Sequence, residues 1–456
     1  EYSPENIQPL SEAQQDAMNK IGVQFMGKNV VLLHGVTSSG KTEIYIHLIQ
    51  KAIEEGRQVL YLLPEIALTV QMTRRLQRVF GSRLGIYHSR YSDAERVEIW
   101  KKQISDNPYD VILGARSAVF LPFSRLGLVI VDEEHETSFK QQDPAPRYHA
   151  RSAAIMLARM YDGAKVLLGT ATPSMESYNN ALTGKYGYVS LTTRYKDVAL
   201  PDIHVVDIKD LYRRKMMRGP FSPELLDAMR AALKQHKQVI LFQNRRGFAP
   251  MVECKVCGWV PKCKNCDVSL TYHRSMNVLT CHYCGYTYAV PHQCPNCEST
   301  ELLGRGYGTE KIEDRVRELF PDARIARMDL DTTRSAGAYQ RIIGDFSSGR
   351  TDILIGTQMI SKGLDFSGVT VVGILNADTM LNYPDFRAYE HAYMMLTQVS
   401  GRAGRRGERG LVILQTKSPD LPVIQQVVSG DFKTFASDLM EERRMFHYPP
   451  LYHLVY

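Results

Sequence analysis

The chain has 456 residues, 44% of them hydrophobic, and 56 Lys plus Arg against 49 Asp plus Glu, a formal net charge of +7. That length supports two or three separate cores. No apolar run approaches the roughly 18 residues of a membrane span, and the start, Glu1-Tyr2-Ser3-Pro4-Glu5, lacks the basic and apolar regions of a secretion signal, so a cytoplasmic protein is expected. The charge surplus admits a polyanionic partner without demanding one.

Short β-rich runs at residues 29–33, 59–63, 111–113, 128–131 and 165–168 alternate with polar-faced helical stretches, the pattern of a parallel sheet covered on both faces. The first run leads into Gly35-Val36-Thr37-Ser38-Ser39-Gly40-Lys41-Thr42. Gly35 and Gly40 at this spacing let the backbone N–H groups, including those of Thr37 and Ser38, cradle a nucleotide's phosphates. Lys41 then meets the β and γ oxygens and the Thr42 hydroxyl meets Mg2+. The following stretch, 43–53, reads as a helix, the context such a loop requires.

The fourth run ends in Asp132-Glu133-Glu134-His135. Consecutive carboxylates at a strand end place Asp132 to hold Mg2+ through its water shell and Glu133 to orient or deprotonate an attacking water; the alternative is a plain acidic turn. Around 195–220 the pattern breaks, and the basic run Arg213-Arg214-Lys215-Met216-Met217-Arg218 before Gly219-Pro220 reads as a solvated linker, with a DNA contact as the alternative. A second sheet is expected from 239–242, 324–328, 353–355, 369–373 and 411–414.

The eight cysteines form four Cys-x-x-Cys pairs: Cys254/Cys257, Cys263/Cys266, Cys281/Cys284 and Cys294/Cys297. Such clustering without a secretion signal favours structural zinc over disulfides. Eight thiolates make two closed four-cysteine sites. A hairpin expected across residues 267–280 favours a nested pairing, with Cys263, Cys266, Cys281 and Cys284 on one metal and Cys254, Cys257, Cys294 and Cys297 on the other. Sequential and interleaved pairings stay open. Near the end, Gln398-Val399-Ser400-Gly401-Arg402-Ala403-Gly404-Arg405 offers Arg402 and Arg405, expected on one helix face, as arginine fingers for the γ-phosphate.

These motifs, with Gly169-Thr170-Ala171-Thr172-Pro173-Ser174 between them, follow the order of superfamily 2 helicase motifs I, II, III and VI. Leu63-Pro64-Glu65-Ile66-Ala67-Leu68-Thr69, Gly114-Ala115-Arg116-Ser117-Ala118 and the run from Gly356 to Phe366 look like motifs Ia, Ib and V. The cysteine block after Phe242-Gln243-Asn244-Arg245-Arg246-Gly247, followed by Gly306-Tyr307-Gly308-Thr309-Glu310, resembles the primosomal replication-restart (PriA-type) helicases.

The resemblance implies an α/β fold of two RecA-like parallel-sheet lobes with a two-zinc insertion in the second. Lobe 1 is expected at 1–200, lobe 2 at 201–249 and 304–440, and the insertion at 250–303. Residues 441–456 are expected to begin a further domain, so that the chain would be a piece of a longer one. The implied cofactors are ATP, Mg2+ and two structural zinc ions. The implied activity is a 3′-to-5′ DNA helicase that acts at stalled or abandoned forks and promotes primosome assembly and reloading of the replicative helicase. Its implied partners are single-stranded and forked DNA, single-stranded DNA-binding protein and other primosome proteins. Gln14 is expected to read adenine, its amide matching the N6 and N7 edge. The loop after the acid pair resembles an aromatic-rich coupling loop, with Phe139 and Tyr148 stacking on bases and Lys140 and Arg147 meeting phosphate; packing of the rings onto lobe 1 is the alternative. A strand-preserving translocase and a non-enzymatic scaffold are the competing functions. Intact Lys41, Asp132, Glu133 and Arg405 weigh against the scaffold.

Overall fold

The computed structural model describes residues 6–64, 70–87, 91–193, 200–244, 251–273, 276–281, 283–302, 309–329, 332–333, 336–361, 366–404 and 409–454. Expectations placed on Glu65, Ile66, Ala67, Leu68, Thr69, Arg245, Arg246, Gly247, Gly306, Tyr307, Gly308, Lys362, Gly363, Leu364, Asp365 and Arg405 lie outside the described residues. The chain divides into two compact units, Glu1–Asp197 and Val198–Tyr456.

Unit 1 is built on seven strands: β1 (Val30–Gly35), β2 (Gln58–Leu62), β3 (Leu84–Tyr87), β4 (Val111–Gly114), β5 (Leu126–Asp132), β6 (Lys165–Thr170) and β7 (Gly187–Leu191). They lie in the order β3-β4-β2-β5-β6-β1-β7, and every pairing is parallel. The central strands are continuously apolar because both sheet faces are buried. Alternate side chains enter two cores: Val31, Leu33, Val59, Tyr61, Leu128 and Ile130 on one face, Val30, Leu32, Leu60, Leu62, Val129 and Val131 on the other. Register sets Asp132 beside Gly169 and Gly169 beside Leu33, so the ends of β5, β6 and β1 form one row where ligands of open α/β sheets bind.

Unit 2 carries β8 (Asp202–Asp207), β9 (Gln238–Phe242), the short strands β10 (Thr271–His273), β11 (Val278–Thr280) and β12 (Thr287–Ala289), and then β13 (Ile325–Met328), β14 (Ile353–Gly356), β15 (Val369–Ile374) and β16 (Leu411–Thr416). The large sheet runs β13-β14-β9-β15-β16-β8, all parallel, and the short strands make a separate antiparallel sheet. The cysteine-rich segment has its own small core, in which Val252, Val268, Leu270 and Leu279 pack with Cys254, Cys263, Cys281 and Cys294.

The structure differs from the sequence reading at several points. The basic run is not an isolated linker: it begins at the end of the helix Ile208–Arg213, where Arg213 and Arg214 pair with Asp210. The boundary expected at residue 441 falls inside the helix Phe432–Met445. Arg443 of that helix is fully buried and binds Glu390 at 2.8 Å. No described helix is long and apolar enough to cross a membrane.

Candidate active site and cysteine-rich module

The loop after β1 has the conformation of an anion cradle. Ser38 and Gly40 have positive φ, 63° and 80°, the kind of turn that forms an anion-binding concavity, and it lies at the start of the helix Lys41–Glu54. A Cβ on Gly35 would lie 2.7 Å from Ser39 Oγ and 3.0 Å from the Lys41 stem, so glycine is needed for the loop to close on itself. Lys41 Nζ donates to the Gly35 carbonyl at 2.9 Å. The hydroxyls of Ser38 and Ser39 are buried without a hydrogen-bond partner, an arrangement that fits a ligand rich in acceptor oxygens. Thr37 in the loop and Thr42 in the first turn of the helix are partly buried.

Gln14 is tied to this loop. Its Oε1 accepts from the Ser11 N–H at 2.8 Å, closing a capping box on the helix Glu12–Gly27, and its Nε2 donates to the Gly40 carbonyl at 3.0 Å.

Asp132 ends β5 with 7% exposure. Its Oδ1 accepts from the Tyr45 hydroxyl at 3.0 Å and from the Glu133 N–H at 3.0 Å, and the Tyr61 hydroxyl faces Oδ2 at 3.5 Å. Burial and the adjacent Glu133 carboxylate push the Asp132 carboxyl up to about 7, against Lys41 and the Tyr45 hydroxyl, which pull it down. A carboxylate so placed fits a divalent cation, whose charge would restore its ionised form. Glu133 has φ 51°, and its Oε2 is buried without a hydrogen-bond partner. That oxygen lies 3.7 Å from His135 Nδ1, and a strained acid whose oxygen makes no hydrogen bond fits a water-orienting role.

The third carboxylate is structural. Glu134 is fully buried and accepts from Ser174 N–H at 2.8 Å, Ser174 Oγ at 2.9 Å, Ser177 Oγ at 2.8 Å and Arg151 Nη1 at 2.7 Å. Burial opposes the Arg151 charge, but Glu134 and Glu176 outweigh it and hold the guanidinium pKa above its ordinary value. His135 Nδ1 meets Thr170 Oγ1 at 2.7 Å. Hydrogen bonds from Glu134 and His135 therefore fasten the acidic turn to the end of β6 and to the segment after it. His34 completes the floor, with Nδ1 2.8 Å from the Tyr188 hydroxyl and Nε2 3.1 Å from the Ala171 carbonyl; burial lowers its pKa to about 4.

The loop beyond separates the two rings expected to act together. Phe139 is 1% exposed within the core; burial removes it from any stacking surface. Tyr148 is half-buried at the loop's far end, edge-on to the exposed Phe120 at 4.8 Å. Lys140 donates to the Arg147 carbonyl, Arg147 is exposed, and Gln141 N–H bonds the Tyr148 carbonyl at 2.9 Å. Arg116 clamps the base of the loop through the Ser138 and Lys140 carbonyls at 3.3 and 3.2 Å.

In unit 2 the expectation that Arg402 lies on a helix is corrected. The helix Ala388–Ser400 is capped at Gly401, and the chain turns at Gly404 (φ 71°), whose N–H reaches the Val369 carbonyl at 3.0 Å. Gly410 returns so closely that a Cβ there would lie 2.2 Å from the Ala403 backbone. A continuing helix would occupy that space. Arg402 sits in the turn, 8% exposed.

The eight thiols are free and gather into two groups, Cys254, Cys257, Cys294 and Cys297, and Cys263, Cys266, Cys281 and Cys284, with the sulfurs of each group within 4.8 Å of one another. This is the nested grouping. All four knuckles share one conformation: the residue after the second cysteine, Gly258, Asp267, Gly285 or Glu298, has φ of 78°, 51°, 72° or 60°. Its N–H donates to the first cysteine's carbonyl at 2.8 to 2.9 Å. Four sulfurs and no open position fit a structural tetrahedral ion such as zinc. The outer group is held to the large sheet by Lys417 Nζ on Glu253 at 2.6 Å. The inner group is held by the Tyr448 hydroxyl on the Cys266 carbonyl at 3.0 Å, with the Tyr448 ring stacked on Phe386 at 4.6 Å.

Sequence reasoning missed Tyr45, Tyr61 and Arg151, and it named Gly169 and Arg116 only as members of motifs, with no role of their own. Two signals were present: Tyr61 is a hydroxyl inside an apolar strand, and Tyr45 stands four residues after Lys41 on one helix face.

A phosphate loop after the first strand of one parallel sheet, an acid pair after its fifth, and a second parallel sheet interrupted by two four-cysteine clusters define a two-lobed helicase core. Residues 11–181 match the DEAD/DEAH box helicase family, 263–288 the PriA DNA helicase Cys-rich region domain, and 303–407 the helicase conserved C-terminal domain. The chain is 44% identical over 98% of its length to replication restart protein PriA of Bacillus subtilis, covering 55% of that protein. It is 41% identical over 98% of its length to PriA of Haemophilus influenzae, covering 60% of it. To PriA of Rickettsia conorii it is 40% identical over 97% of its length, covering 67% of it. The chain belongs to the PriA family of replication restart proteins. It spans about half to two thirds of the length of these curated relatives. Among solved structures, RecG bound to a three-way DNA junction superposes with TM-score 0.53 at 16% identity, over 97% of this chain and 51% of that one. Dbp5 of S. cerevisiae bound to RNA and ADP BeF3 superposes with TM-score 0.55 at 14% identity, over 98% of each chain. These show the fold alone.

Proposed function

We propose that this chain is the ATP-driven motor of a DNA helicase that acts at stalled or abandoned replication forks, moves 3′ to 5′, and promotes primosome assembly and reloading of the replicative helicase. The observation that carries the proposal is the row formed by β1, β6 and β5, which sets Asp132 beside Gly169 and Gly169 beside the strand that feeds the phosphate loop. Membership of the PriA family supports the replication-restart setting, the polarity and a cytoplasmic location. It likewise supports partners that comprise single-stranded and forked DNA, single-stranded DNA-binding protein and other primosome proteins.

In this reading N–H groups of the loop, those of Thr37, Ser38, Gly40 and Lys41 among them, bind the phosphates, Lys41 neutralises the β and γ oxygens, and Gln14, anchored to Gly40, reads adenine. Thr42 and Asp132 hold Mg2+, which supplies charge neutralisation at the phosphates. Glu133 takes the proton of the attacking water, and Arg402 and Arg405 meet the charge that develops on the γ-phosphate. Tyr148, Arg147 and Lys140 contact single-stranded DNA, and Arg116 fixes the loop that carries them. Two zinc ions on the cysteine clusters order the insertion.

The test is ATP hydrolysis with and without single-stranded DNA, followed by displacement of strands from forks with 3′ or 5′ tails. DNA-stimulated hydrolysis and unwinding of the 3′-tailed fork are expected. Stimulation by duplex without strand separation would instead identify a translocase.

A further inference from the structure

We infer that Tyr45 is a positioning residue for Asp132, and that the missing side chain at Gly169 is what admits it. The Tyr45 ring is fully buried on the helix that begins at Lys41. Its hydroxyl donates to Asp132 Oδ1 at 3.0 Å, while the ring lies edge-on to Tyr61 at 5.6 Å. A Cβ on Gly169 would stand 1.7 Å from the Tyr45 oxygen, 2.8 Å from Cζ and 3.3 Å from Asp132 Oδ1. The hydroxyl thus occupies the place of a side chain on β6, wedged against the carboxylate two strands from the phosphate loop.

The physical consequence concerns orientation. The terminal torsion of an aspartate is broad and roughly two-fold, so a carboxylate at a strand end turns unless donors hold it. The Tyr45 hydroxyl and the Glu133 N–H converge on Oδ1 from within the protein, and Tyr61 faces Oδ2. With its inner lone pairs engaged, the group presents the rest outward in one orientation. Preorganised ligands bind cations more tightly because no rotation is lost on binding. The phenol belongs to the helix that starts at the phosphate loop, so the loop and the carboxylate are positioned by one rigid element.

The inference rests on the proposed ATP reading, and two variants separate positioning from stability. Tyr45→Phe keeps the ring and deletes the hydroxyl. The free Mg2+ giving half-maximal ATP hydrolysis is expected to rise about tenfold, as for loss of a hydrogen bond to a charged group. The Mg2+ dependence of fluorescent ADP binding, which needs no turnover, should shift equally. Gly169→Ala should lower the melting temperature, since its methyl collides with the hydroxyl. In the double variant the 1.7 Å collision is gone while Cζ still lies 2.8 Å from the methyl, so the melting temperature should recover in part while the Mg2+ shift persists. A Tyr45→Phe protein with unchanged Mg2+ dependence in both assays overturns the inference, as does a double variant no more stable than Gly169→Ala. Failure of the unaltered chain to bind ADP with Mg2+ would instead overturn the ATP reading itself.

Discussion

Glu134 and Arg151 form a buried ion pair at 2.7 Å, the carboxylate side chain having no exposure and the guanidinium side chain 11%. The pair is closed by Ser174 and Ser177, so both oxygens of Glu134 are hydrogen-bonded. Removing one partner strands a charge. Arg151→Met should destabilise the protein by about 3–5 kcal/mol, read as a lowered denaturation midpoint. Glu134→Gln, which keeps acceptor and shape, should cost less. Equal midpoints for Arg151→Met and the unaltered chain would remove the pair from the account of how the acidic turn is held.

Hydrolysis should divide between two neighbouring functions. Lys41→Ala should lose nucleotide binding together with turnover, because the ammonium opposes the phosphates in every bound state. Glu133→Gln should bind nucleotide with near-normal affinity and lose turnover by about 10²–10⁴-fold, the usual worth of a positioned general base. Binding titrations beside steady-state rates distinguish them, and rapid hydrolysis by Glu133→Gln would exclude that residue as the base.

The aromatic loop now yields different expectations for its two rings. Phe139→Ala should cost about 3–5 kcal/mol of stability as a core truncation. Tyr148→Ala should melt near the normal temperature, keep the DNA-independent ATPase rate, and lose much of its stimulation by single-stranded DNA. The same measurements on both variants decide this, and undiminished stimulation in Tyr148→Ala would deny the ring its DNA contact.

Metal removal should follow the nested grouping. Elemental analysis should find two zinc ions per chain. Cys263→Ser and Cys284→Ser should each lose the same one, and Cys254→Ser and Cys297→Ser the other. Chelation should unfold the insertion, since its small core contains four of the cysteines and a segment that short orders itself poorly without metal. The phosphate loop is in the other unit with its own cores, so basal ATP hydrolysis should outlast unwinding. Loss of both metals from a single substitution would contradict separate sites.

Stability should fall in mild acid because of His34. Its folded pKa, about 4, lies below the unfolded value near 6.5, so the unfolded chain binds the proton first. The stability is fully present above pH 6.5 and is lost as pH falls from there toward 4. Half-buried His149, also lowered to about 4, adds to the same window. Denaturation midpoints at pH 7 and pH 5 should therefore differ less in His34→Gln than in the unaltered chain. An identical pH difference in both proteins would count against burial of a neutral imidazole.

Local chemistry was legible in the sequence wherever a motif is a run of neighbours. The phosphate loop needs Gly35, Gly40, Lys41 and Thr42 at fixed spacing, and each knuckle needs two cysteines and a following residue that tolerates positive φ, so these declared themselves without tertiary contacts. The central strands were equally plain, because a strand covered on both faces is apolar throughout. The edge strands β3, β7 and β8 escaped notice: Gly187–Leu191 alternates between buried and open positions, and Asp202–Asp207 is exposed or half-buried over most of its length. Such segments resemble loops until a neighbour pairs with them.

Only the tertiary structure decided which knuckles share a cluster, that Phe139 is core while Tyr148 is half-open, and that the helix stops at Ser400 before Arg402. It alone brought Tyr45 to Asp132 across a sequence separation of 87 residues and made Gly169 the space between them. The physical reason is common to all of these. Periodicity records which face of an element is buried, whereas the atom met on that face depends on strand order and register, which are set by the packing of the whole lobe.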